Sequence, residues 1–97
     1  MVTEAFEISP EDPVLVRLRS SDRVLAAVVA EVGPEVRLRI DDASAVGLRE
    51  PHFARGVAVE AFRGASRWVD EAAAPLGYDR QRHELRLKGP IALEPAQ

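Results

Sequence analysis

Arg19 and Arg23, together with the segment Asp42-Ala43-Ser44-Ala45-Val46-Gly47 that begins 19 positions after Arg23, are the residues best suited to chemistry. Two guanidiniums this close in sequence can grip phosphate oxygens and stack on a purine. Asp42 and Ser44 on a turn can accept hydrogen bonds from a guanine edge, and Gly47 lets a backbone come close. Each residue alone also has a plainer use. The arginines can flank a turn in an arginine-rich chain, and Asp42 and Ser44 can bond their own local backbone. Their joint occurrence, as R-x-x-x-R followed by D-x-S-x-x-G, favours the ligand reading.

Other chemistry is poorly served. Asp41 and Asp42 are adjacent, so on a strand they point to opposite faces and cannot work as an acid–base pair. His52 and His83 have no third ligand at a diagnostic spacing, so no metal site is expected. There is no G-x-S-x-G, Walker loop or G-x-G-x-x-G, and no nucleophile–base pair can be read. The expectation is a non-enzymatic protein with no catalytic residues and no cofactor.

The elements that must position these residues read as short strands. Val14, Val16 and Leu18 alternate with Leu15, Arg17 and Arg19 at period 2. Ser20-Ser21-Asp22 is a turn cluster. Residues 23–32 are apolar on both faces, which suits a central strand. Gly33-Pro34 breaks it, and Val36, Leu38 and Ile40 then alternate with Arg37, Arg39 and Asp41, so 23–41 reads as a hairpin. Residues 42–55 are less regular, with His52-Phe53 as a candidate core plug. Val57, Val59 and Ala61 begin a fourth strand. Residues 66–74 fit either a helix, through their three alanines, or a strand, through Trp68-Val69; the flanking strands favour the latter. Pro75 to Asp79 reads as a turn, and Leu85 and Leu87 mark a last strand. Six strands without a long helix predict an all-β fold, a small six-stranded antiparallel split β-barrel. Val14, Val16, Val28, Leu38, Ile40, Val59 and Leu87 are expected inside.

Composition sets the frame. With 97 residues, 46% hydrophobic and 30% charged, the chain suits one folded domain. Residues 1–12 carry Glu4, Glu7, Glu11 and Asp12 without a base and read as a flexible acidic arm. Residues 13–93 form the predicted barrel, and 94–97 read as a loose C-terminus. The net charge of −3 argues against nucleic-acid binding. Twelve of the 13 basic residues are arginine, a bias that carries no functional weight in a chain so rich in alanine and valine. No apolar run reaches membrane-spanning length, and the N-terminus lacks the basic start and apolar stretch of a signal peptide. Without cysteine there is no disulfide, and a cytoplasmic location is expected.

The motifs resemble those of PilZ domains, bacterial receptors for cyclic di-GMP. Arg19 and Arg23 match that family's arginine pair, Asp42, Ser44 and Gly47 match its second motif, and the hairpin between them has the right length. Leu48 and the Gly56-Val57-Ala58-Val59 strand start look similar too. The resemblance implies a signalling module, with a role in processes such as motility. In it Arg19 and Arg23 hold phosphates and cap guanine faces, Asp42 and Ser44 read a guanine edge, and the signal passes to a protein partner; a homodimer is compatible with this. The strand rhythm from Val14 to Leu93 also resembles the PilZ-like N-terminal domain of flagellar-brake proteins. That likeness implies a ligand-free domain acting through protein contacts, with Arg19 and Arg23 in an ordinary strand–turn–strand. A flavin-binding split barrel is a third use of such a fold.

Overall fold

In a computed structural model, which describes residues 6–96, the chain forms one antiparallel sheet curled into a half-barrel. The strands are β1 (Pro13–Leu18), β2 (Val24–Glu31), β3 (Glu35–Ile40), β4 (Val57–Arg63), β5 (Ser66–Ala73), β6 (Pro75–Asp79), β7 (Glu84–Lys88) and β8 (Glu94–Pro95). A 3-10 turn, Glu50–Phe53, lies between β3 and β4. The sheet order is β6-β7-β3-β2-β1-β4-β5-β8. Among the described residues no helix is long and apolar enough to cross a membrane.

The all-β architecture agrees with the sequence, but the sheet has eight strands and not six. The first addition is β6, where a turn is predicted. Pro75 and Gly77 read as breakers, yet here both are tolerated for positional reasons. β6 is an edge strand, and Pro75 opens it, so the missing N–H breaks no ladder. The pairing with β7 slips between Pro75 and Gly77, a bulge in which a Cβ on residue 77 would lie 2.7 Å from the Arg86 guanidinium. The second addition is β8. Trp68 pairs with Pro95 and Val69 with Glu94, and the Ala96 N–H donates to the Arg67 carbonyl at 2.8 Å. Residues 94–96 are therefore pinned; Gln97 lies outside the described residues.

Residues 66–73 form a strand, as the flanking strands suggest, and Phe53 is buried in the core. Every residue expected inside is buried except one. β2 turns Leu25, Ala27 and Val29 inward, and Val28 sits half-buried on the outer face. Its own alternation could not decide, because both faces are apolar. The register decides: Ala27 pairs with Val14 and Ile40, both core residues, whereas Val28 pairs with Pro13 and Arg39.

The acidic arm, in its described part, packs onto the barrel. Residues 1–5 lie outside the described residues. Phe6 bridges Leu93 through a 3.0 Å backbone bond, and its ring lies 5.2 Å from that of Trp68. Phe6 and Ile8 are both buried. Further on, Glu11 and Asp12 exchange backbone bonds with Val29 at 2.7 and 2.9 Å. Burying a Phe and an Ile contributes about 1.5–3 kcal/mol each toward the entropy of ordering the segment. The two apolar side chains at i and i+2 and the backbone bonds to Leu93 and Val29 dock it together.

Candidate functional site

The turn between β1 and β2 presents the two arginines on either side of Asp22, which closes the turn with φ 57°. The Leu18 N–H donates to the Arg23 carbonyl at 2.8 Å, so the hairpin itself fixes where each arginine starts. From there they diverge. Arg19 runs along the β4–β5 side. Its guanidinium donates to the Glu71 carbonyl and meets the Glu71 carboxylate at 3.2 Å. Both side chains are exposed.

Arg23 turns the other way and is half-buried. Its Nη2 donates to the Ser44 carbonyl at 2.6 Å and to the Val46 carbonyl at 3.0 Å. The Ser44 Oγ accepts a 3.1 Å bond from the Ala26 N–H of β2. The turn over 42–47 is thereby stitched to the start of β2 from two directions. Gly47, at φ 71°, takes a left-handed conformation that closes this turn, and nothing lies within 4 Å of where a Cβ would stand. Asp42 accepts a 3.0 Å bond from the His83 Nδ1 on the β6–β7 turn.

Arg23, Asp42, Ser44 and Gly47 thus meet at one end of the half-barrel, and Arg19 does not join them. Asp42 and Gly47 line a cleft of about 260 Å³ with Tyr78, Arg80 and His83. Arg19 lines a different cleft of about 490 Å³ with Arg55, Gly56 and Glu71. A phosphate approaching Arg19 meets the Glu71 carboxylate. A ligand taking Arg23 must strip two carbonyls of a charged donor, a loss of about 1.5–3 kcal/mol for each such bond.

Several residues here had no sequence signal. Glu71 lies 52 residues from Arg19, and His83 lies 41 from Asp42; only the folded sheet joins them. The Tyr78 ring packs against that of Phe53, tilted by 43° at 5.0 Å, and its buried hydroxyl finds no hydrogen-bond partner among the described residues. Burial pushes its pKa above the usual 10.0, helped by Asp79 and opposed by the Arg80 and Arg23 charges. His52, considered above as a ligand, instead accepts a 2.9 Å bond from the Arg49 N–H at its Nδ1. Among the described residues no group of three or more His, Cys, Asp or Glu could hold a metal ion.

On the outer face, Glu60 is almost fully buried between Arg17, at 2.9 Å, and Arg67, at 3.1 Å. Leu15, which pairs with Glu60, and Phe62 two residues on continue that face. Compared with protein families, curated proteins and solved structures, the chain matches none.

Proposed function

We propose that this chain is a PilZ-like module that works through protein contacts, with no catalysis of its own, and that its arginine motif serves the fold. The observation that carries this reading is the engagement of both guanidiniums within the molecule. Arg23 bonds two carbonyls of the turn over 42–47, and Arg19 bonds Glu71 on the far side. Two arginines held apart, Arg19 in the cleft beside Glu71 and Arg23 tied to the carbonyls of Ser44 and Val46, do not form a phosphate clamp.

A second reading, a cyclic di-GMP receptor, draws support from the meeting of Arg23, Asp42, Ser44 and Gly47 at one end of the barrel. Calorimetric titration with cyclic di-GMP separates the two. The protein-contact reading expects no saturable heat with ligand at high micromolar concentration. Saturable binding that Arg19→Ala and Arg23→Ala both abolish, in variants that remain folded, overturns it in favour of the receptor.

A further inference from the structure

The outer face of β2, β1 and β4 carries a shallow apolar groove of about 430 Å³, lined by Pro13, Leu15, Ala26, Val28, Asp41 and Phe62. Phe62 is 51% exposed, a large ring left in water at the groove's end. The strand register arranges this face in two rows. One runs Arg39, Val28, Pro13 and on to Phe62; the other runs Asp41, Ala26, Leu15, Glu60. Arg39 and Asp41 are both exposed, have opposite charge, stand two residues apart on one side of the groove, and make no ion pair among the described residues.

We infer that this groove is the contact face of a homodimer. A two-fold axis lying in the interface, across the strands and between the two rows, sets Arg39 of each copy against Asp41 of the other. The same operation brings Val28 over Ala26, Pro13 over Leu15, and Phe62 over Glu60 of the other copy. Glu60 arrives already capped by Arg17 and Arg67, so the ring meets guanidiniums and not a bare carboxylate. One operation therefore sets Arg39 against Asp41, the apolar residues of β1 and β2 against one another, and Phe62 against the arginine-capped Glu60, the self-complementary pattern that an isologous interface requires. The face is small, so the dimer belongs to the transient class and forms with rising concentration. This goes beyond the protein-contact reading by naming the partner as a second copy.

Sedimentation equilibrium from about 10 µM to about 1 mM, the range suited to interfaces of that class, tests the inference. The wild-type protein is expected to pass from monomer to dimer. Phe62→Ser is expected to weaken association by tenfold or more, since it removes a phenyl ring whose exposed half the dimer would bury. Arg39→Asp and Asp41→Arg are each expected to be monomeric, because like charges then face each other. Mixing these two variants is expected to restore association, because every pair is again opposite in sign. Circular dichroism confirms that each variant is folded; if one is not, the mixed pair is replaced by Arg39→Glu and Asp41→Lys. A wild-type protein that stays monomeric overturns the dimer and leaves the cyclic di-GMP titration to judge the module by itself. A dimer indifferent to all three substitutions uses another face and overturns it equally.

Discussion

Arg23 reaches across 21 residues of chain to donate to the Ser44 carbonyl at 2.6 Å, so one half of an apparent ligand motif holds the other half in place. With the Val46 carbonyl at 3.0 Å and the Ala26 bond to Ser44 Oγ, the turn after β3 is fastened to the start of β2. The spacing that suggests phosphate binding is equally the spacing of a hairpin whose two ends are tied.

Phe6→Ala is expected to lower stability by about 3 kcal/mol, the usual loss for a buried phenyl ring. The ring is buried against Trp68 and sits under the Arg63 guanidinium at 4.7 Å. Urea unfolding followed by tryptophan fluorescence measures this directly, since Trp68 is the only tryptophan. A change below about 0.5 kcal/mol would mean that the leader is not part of the fold.

Two glycines are expected to respond very differently to alanine. Gly47→Ala is expected to cost only about 1 kcal/mol, for a left-handed backbone with open space around it. In Gly89→Ala the new Cβ overlaps the Gly33 carbonyl oxygen and stands 2.9 Å from that of Pro34, so the backbone that carries the bond from the Gly89 N–H to the Pro34 carbonyl must shift. The loss is expected to be about 3 kcal/mol. Thermal midpoints of the two variants give the comparison, and equal midpoints contradict it.

Tyr78→Phe is expected to leave stability at neutral pH unchanged or to raise it by about 1 kcal/mol, because the hydroxyl it removes is buried without a partner. The pH dependence has a definite sign. The folded-state pKa is raised, so the folded protein favours the neutral phenol. Its contribution is fully present below the unfolded value of about 10 and is lost as pH rises through the folded value. The wild-type protein is therefore expected to lose stability above pH 10 faster than Tyr78→Phe. Parallel alkaline unfolding curves would rule this out.

The sequence was most readable where one face of a strand is polar. Val36, Leu38 and Ile40 alternate with Arg37 and Arg39, and that strand lies as the alternation requires. In β2 both faces are apolar, and the side on which Val28 lies depends on Pro13 and Arg39 in neighbouring strands. Pro75 and Gly77 read as a turn because their effect depends on position: at an edge and at a bulge they are compatible with a strand. The same limit governs the site. Arg23, Asp42, Ser44 and Gly47 could be grouped because a single hairpin joins them. Glu71, which holds Arg19, and Tyr78 and Arg80 in the cleft come from β5, β6 and the turn after β6, whose placement no local pattern encodes.

The stability of Arg23→Ala, compared with Arg19→Ala by equilibrium urea unfolding, tests the central claim most directly. If the motif serves the fold, Arg23→Ala is expected to lose about 2 kcal/mol, for two charge-assisted bonds in a half-buried setting. Arg19→Ala is expected to lose less than about 1 kcal/mol, because its ion pair with Glu71 is exposed. An Arg23→Ala protein as stable as the wild type would contradict the account, since it would make Arg23 a side chain that the fold does not need and leave it free for a ligand.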